Sequence, residues 1–167
     1  MKNIYLIGFM GTGKSTVSGC LHSRYGLERL EMDDKISERE GMSIPDIFRE
    51  KGEAYFRELE TKLLIDLSAR QDLVVSCGGG TAMRRENVDL MKESGTIVLL
   101  GADPQTVYER VKGNHNRPLL EGNMNPEYIE NLMEARRPAY EAAADITVKT
   151  DGKSAEAICM EIMEHFQ

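Results

Sequence analysis

The chain has 167 residues, a net charge of −7 and 41% hydrophobic residues, which is enough apolar matter for a core and a length that favours one domain over 1–167. Its acidity argues against nucleic acid or an anionic membrane as the main partner, because both select a basic face. No apolar run approaches the length of a bilayer span, and glycines interrupt the first residues where a signal peptide needs continuity, so a cytoplasmic protein is expected.

In chain order, residues 2–7 form a short apolar run that predicts a strand, and 14–25 predicts a helix. Between them stands Gly8-Phe9-Met10-Gly11-Thr12-Gly13-Lys14-Ser15, which fills every fixed position of the Gly-x4-Gly-Lys-Ser/Thr pattern. A strand, a glycine turn and a helix N-terminus make a phosphate cradle, in which the backbone N–H groups curl toward the anion. Lys14 is expected to reach the outer phosphates of a nucleotide, and the Ser15 hydroxyl to ligate Mg²⁺. Gly11, Thr12, Gly13, Lys14, Ser15 and Thr16 are the expected nucleotide-binding residues of this loop.

Further strands are predicted over 27–32, 73–77, 96–100 and 145–149, separated by helix-length segments. That alternation predicts an α/β three-layer sandwich with a five-stranded parallel sheet. A helix over 53–70 places Phe56, Leu59, Leu63 and Leu67 on one stripe, with Arg57 beside it. The segment 112–125 is polar, with two glycines, four asparagines and a proline, and predicts a mobile loop. Asn125 and Pro126 then cap and open a helix whose stripe runs Ile129, Leu132, Met133, Arg136, Tyr140. A cation on an apolar stripe needs an anionic partner. For Arg57 that partner is either Glu53 or Glu60 on its own helix, or an anionic ligand shared with Arg136. Cys20, Cys77 and Cys159 are widely spaced with no Cys-x-x-Cys pair, and read as reduced packing residues.

Other nucleotide users are excluded by missing segments. There is no Asp-x-x-Gly with Asn/Thr-Lys-x-Asp of a GTPase switch and no Leu-Ser-Gly-Gly of a transporter. The string Asp151-Gly152-Lys153-Ser154 lacks the upstream glycine of a second phosphate loop, since Thr147 stands there. A kinase of small molecules remains.

Ser43-Ile44-Pro45-Asp46-Ile47-Phe48, Gly52-Glu53-Ala54-Tyr55-Phe56-Arg57-Glu58-Leu59-Glu60, the triplet Gly78-Gly79-Gly80, Arg117-Pro118-Leu119-Leu120 and Arg136 together resemble shikimate kinase almost from end to end. The resemblance implies a P-loop kinase fold with a mobile lid at about 112–125 and an acceptor region at about 33–61. The reaction it implies is transfer of the γ-phosphoryl group of ATP to the 3-hydroxyl of shikimate, with Mg²⁺ as cofactor. It implies catalytic roles for Lys14, Asp33 and Arg117. It implies substrate contacts from Asp33, Arg57, Gly78, Gly79, Gly80 and Arg136, with Phe48, Phe56 and Leu119 walling the ring. Arg110, Arg117 and Lys153 join the nucleotide side. The implied partners are ATP and shikimate alone, with no nucleic acid and no membrane, and the chain is expected to act as a monomer.

One departure stands out. The family's Asp-x-Asp reads Glu31-Met32-Asp33 here, followed by Asp34. Glu31 keeps the charge of a water-bridged metal contact but adds a methylene. Asp34 competes with Asp33 for the hydroxyl-binding role; spacing to Ser43 and strand alternation, which puts Glu31 and Asp33 on one side, favour Asp33. Two other readings stay open: a gluconate- or nucleoside-monophosphate-type kinase of similar fold, and a non-catalytic ATP-binding protein.

Overall fold

The computed structural model describes residues 1–112 and 125–166. Five parallel strands form one sheet in the order β2-β3-β1-β4-β5. They are β1 (Asn3–Ile7), β2 (Glu28–Glu31), β3 (Leu73–Ser76), β4 (Gly95–Gly101) and β5 (Ile146–Lys149). The helices among the described residues are α1 (Lys14–Tyr25), α2 (Met32–Glu40), α3 (Ile44–Lys51), α4 (Glu53–Ser68), α5 (Arg85–Ser94), α6 (Pro104–Val111), α7 (Pro126–Ala143) and α8 (Ala155–Glu164), with a 3₁₀ turn at Thr81–Met83.

The layers follow from strand alternation. Side chains of successive strand residues point to opposite faces, so β1 sends Tyr5 and Ile7 one way and Ile4 and Leu6 the other. On the first face they pack with Ile36 of α2, Leu63 and Leu67 of α4, Met91 of α5, Val107 of α6 and Ile129 of α7. On the second they meet Val17 and Leu21 of α1 and Ile158 and Ile162 of α8. Both faces are covered, which is why β1 and β3 are buried along their whole lengths. The expected three-layer sandwich of five parallel strands is the observed one.

Adjacent strands β1 and β3 pair in parallel, Ile4 opposite Val74 through Leu6 opposite Ser76. The chain leaves β1 for α1 on one face and leaves β3 for α5 on the other. Connections that diverge to opposite faces open a crevice at the carboxyl ends of neighbouring strands, and ligands settle there in open α/β sheets.

Two expectations change. The strand over 27–32 stops at Glu31, and Met32 opens α2. Asp33 therefore sits in the first turn of a helix, and strand alternation does not place it beside Glu31 as expected. Met32 is fully buried against the apolar core and begins the helix, which leaves Asp33 and Asp34 in its first turn, where acidic side chains complement the helix dipole. The helix over 53–70 ends at Ser68.

Candidate active site

The phosphate loop has the predicted form. Gly13 caps α1 in a left-handed conformation (φ 96°), which turns the following N–H groups toward the crevice. Lys14 Nζ donates to the carbonyls of Gly8 (2.7 Å) and Phe9 (2.9 Å), so the ammonium bridges the loop it belongs to. Thr12 Oγ1 donates to the Phe9 carbonyl at 2.7 Å and locks the turn from inside.

A cavity of about 600 Å³ opens beside this loop. Lys14, Ser15, Glu31, Asp33, Gly78 and Gly79 line it. Ser15 Oγ donates to Glu31 Oε2 at 3.0 Å, a direct contact. The longer glutamate thus touches the hydroxyl itself. A hydroxyl and a carboxylate oxygen are hard donors, and two of them suit a divalent cation that completes its shell with water and phosphate oxygens.

The glycine triplet explains how charged side chains from three helices meet. A Cβ on Gly78 would stand 3.0 Å from Glu60 Oε2 and 3.2 Å from Asp33 Oδ1. One on Gly79 would stand 2.9 Å from Arg136 Nη1, and one on Gly80 would stand 2.6 Å from the Arg57 guanidinium. The missing side chains make room for two acids and two guanidinium groups around one turn. Sequence reasoning expected these glycines to admit substrate; their first structural consequence is to admit the protein's own charges.

Arg57 lies between acids, with Nη1 donating to Glu60 Oε1 at 2.8 Å and Nη2 to Glu53 Oε2 at 3.0 Å. The pairing within its own helix is therefore present, and so is the inward position. Its ring contacts are Phe56 at 5.3 Å and Phe48 at 6.0 Å. Burial opposes the charge on Arg57, but the two glutamates outweigh it and raise its pKa. Glu60 is fully buried and also accepts from Thr81 Oγ1 at 2.7 Å. Burial pushes its carboxyl above the ordinary range, against the pull of Arg57 and Thr81.

Arg136 enters from α7, 8% exposed, its guanidinium carbon 5.6 Å from the Phe9 ring centre. Its Nη1 is buried and hydrogen-bonds to no described residue. Tyr140, one turn on, donates its hydroxyl to the Gly79 carbonyl. Burial raises the Tyr140 pKa while both Arg136 and Arg57 lower it, so the two cations act on one hydroxyl. Cys77 borders the same cavity, but burial raises its thiol pKa and keeps it protonated.

On the other side of the loop, Arg110 Nη1 donates to the Gly11 carbonyl at 2.9 Å and to Thr150 Oγ1 at 3.3 Å. Arg110 and Lys153 line a second cavity of about 220 Å³ with Gly13 and Thr16. Lys153 pairs with Glu161 at 3.2 Å. Arg117 and Leu119, and all but the ends of the lid expected at 112–125, lie outside the described residues.

Reasoning from the sequence named Glu60 only as an ion-pair partner and Tyr140 only as a stripe residue, and it missed Ser18 and Arg29. A glutamate three residues past Arg57 was the available signal for Glu60. Arg29 had a local signal, since it stands two residues before Glu31 on one strand face; nothing local marks Ser18, whose partners Arg29 and Glu31 lie across the α1–β2 crossover.

A phosphate loop and convergent charges at the carboxyl edge of a five-stranded parallel sheet define a P-loop phosphotransferase for small molecules. The shikimate kinase family model matches residues 10–167. A shikimate kinase of Persephonella marina is 47% identical over 98% of this chain and 98% of its own. The structure of a shikimate kinase from Acinetobacter baumannii in complex with shikimate superposes with a TM-score of 0.94 at 34% identity, over 99% of this chain and 93% of that one. A gluconokinase from Sinorhizobium meliloti shares the fold at 20% identity and a TM-score of 0.60, covering 98% of this chain and 90% of that one. The chain belongs to the shikimate kinase family. Its reaction is the ATP-dependent phosphorylation of shikimate in aromatic biosynthesis.

Proposed function

We propose that Arg57 and Arg136 together bind the carboxylate of shikimate, and that Lys14, Ser15 and Asp33 act on the phosphoryl group and its acceptor. The observation that carries this reading is the turn at 78–80, where the absence of side chains lets both guanidinium groups pack against one backbone turn whose Gly78 and Gly79 line the cavity beside the phosphate loop. Planar forks suit a planar carboxylate, and two of them offset its desolvation. The buried Nη1 of Arg136 has a donor to give. Asp33, on the wall of the same cavity, accepts from the ring hydroxyls and orients the attacking oxygen toward the γ-phosphorus.

On the nucleotide side, Lys14 transfers its hydrogen bonds from the Gly8 and Phe9 carbonyls to the outer phosphates. Arg110, Lys153 and Thr16 border the space for the nucleoside, and Gly11, Thr12 and Gly13 cradle phosphates with backbone N–H groups. Ser15, and Glu31 through water, would hold Mg²⁺, which when bound would neutralise charge on the phosphates. Arg117, from the lid, supplies a further cation to the transferring group. The chain works as a cytoplasmic monomer on these two small molecules.

A turnover assay with ATP, Mg²⁺ and shikimate tests the reading, with gluconate and CMP as competing acceptors. Shikimate-dependent ADP release that is lost in Arg57→Lys and Arg136→Lys is the expected result. Unchanged shikimate KM in both variants would overturn the carboxylate assignment.

A further inference from the structure

Glu31 is held from two sides, by Arg29 on its own strand and on the wall of the same cavity, and by Ser18 of α1. Its Oε1 accepts from Ser18 Oγ at 2.9 Å, from Arg29 Nη2 at 2.9 Å and from Arg29 Nε at 3.2 Å. The same Arg29 reaches further: Nη2 donates to the Ser15 carbonyl at 2.9 Å and Nε to Ser18 Oγ at 3.0 Å. Ser18 is fully buried, and its hydroxyl lies 2.9 Å from the Ser15 carbonyl as well. Three donor groups therefore converge on Oε1; Arg29 Nε shares its one proton with Ser18 Oγ, and the Ser18 hydroxyl shares its own with the Ser15 carbonyl. Oε2 accepts from the Ser15 hydroxyl on the cavity side.

We infer that Arg29 and Ser18 are positioning residues that fix Glu31, and through it the Ser15 hydroxyl, for the nucleotide-bound metal. The inference rests on the assignment of Ser15 and Glu31 to that metal. A glutamate has one more rotor than an aspartate, and freezing it on binding costs affinity. The Arg29 fork and the Ser18 hydroxyl freeze it beforehand. A hydroxyl that ligates a cation still donates its proton, so the Ser15–Glu31 hydrogen bond persists on binding, and Glu31 sets the direction of the Ser15 lone pair. Outer partners of this kind are worth 10- to 100-fold in metal affinity.

Geometry and charge predict opposite outcomes here. Arg29 is a cation beside a cation site, so on Coulomb grounds its removal tightens metal binding; as a positioner, its removal loosens it. The test measures binding of Mn²⁺ to the full-length enzyme saturated with ADP, from the electron paramagnetic resonance signal of free Mn²⁺. Arg29→Met is expected to weaken binding about tenfold. Arg29→Lys is expected to weaken it nearly as much, since one ammonium cannot span Ser15, Ser18 and Glu31 at once. Ser18→Ala is expected to weaken it about threefold, with ADP affinity in the absence of metal kept within about twofold in all three. Unchanged or tighter Mn²⁺ binding in Arg29→Met overturns the inference, as does wild-type affinity in Arg29→Lys. An equal loss of metal-free ADP affinity also overturns it, by making Arg29 a support of the α1 N-terminus. Ser15→Ala separates the two layers: if it weakens Mn²⁺ binding while the Arg29 variants do not, only the positioning inference falls; if it has no effect, the metal assignment falls too.

Discussion

Gly80 carries no chemistry, yet a single methyl there reaches the acceptor side of the site. Its φ of −101° is open to any residue, so alanine adds no backbone strain. The added Cβ meets the Arg57 guanidinium at 2.6 Å, and that is the movable end of a long side chain. Gly80→Ala is therefore expected to change folding stability by no more than about 1 kcal/mol. Shikimate KM should rise about tenfold or more, because a charge-assisted hydrogen bond is worth about 1.5–3 kcal/mol. Steady-state kinetics beside a denaturant titration checks both halves. Glu60 gives a second expectation, in pH. Its folded-state pKa is raised, so the native protein holds that proton more tightly than the unfolded chain does. Its contribution to stability is full below about pH 4, the unfolded value, and declines as pH rises through the folded value. In Glu60→Gln that decline disappears. Denaturant titrations from about pH 4 to pH 7 should show wild type losing stability relative to the variant, and parallel curves would contradict the raised pKa.

At the scale of elements, the legible parts were those with a local signal. The glycine loop announces β1 and α1 by itself. Asn125 and Pro126 announce α7, and Asn125 Oδ1 accepts from the Tyr128 N–H at 2.8 Å as a cap should. Ser43 does the same for α3, accepting from Asp46 N at 3.2 Å. The end of β2 was not legible, because Leu30, Glu31 and Met32, where the strand gives way to the helix, include no turn residue; Met32 is fully buried there, a tertiary constraint. The gathering of Arg57, Arg136 and Asp33 at the glycine turn was legible only through the family resemblance, and the place of Glu60 among them was hidden, since it depends on three helices packed at once. Asn3 shows the same limit. It reads as one residue of an apolar run, but it is fully buried and joins three elements. Its amide donates to the carbonyls of Leu67 (3.2 Å) and Arg70 (3.1 Å) at the end of α4, and its oxygen accepts from Leu73 N (3.1 Å) at the start of β3. Asn3→Leu strips partners from buried backbone groups, each costing about 1–3 kcal/mol. The expected loss of about 2–4 kcal/mol, read by chemical denaturation, should leave shikimate KM unchanged, because Asn3 lies at the opposite end of β1 from the phosphate loop.

For the molecule as a whole, the site is assembled from the carboxyl ends of β1, β2 and β3 and from helices on both faces of the sheet. Ligands there bind only the folded arrangement, so each stabilises it by mass action. At a hundredfold excess over its dissociation constant, ADP adds about 2.7 kcal/mol. For a chain of this length that raises the melting midpoint by about 5–10 °C. Shikimate at the same multiple adds a similar increment, through different side chains. The two effects should therefore separate by mutation. In Arg57→Lys the fork that meets the carboxylate becomes a point charge. If shikimate affinity falls about a hundredfold, the same concentration contributes only about 0.4 kcal/mol. The ADP shift should persist in full, because Lys14 and its loop are untouched. Differential scanning fluorimetry with each ligand alone reads both arms. A shikimate shift in Arg57→Lys equal to that of wild type would place the carboxylate elsewhere, and a loss of both shifts would show that Arg57 supports the fold and not the acceptor.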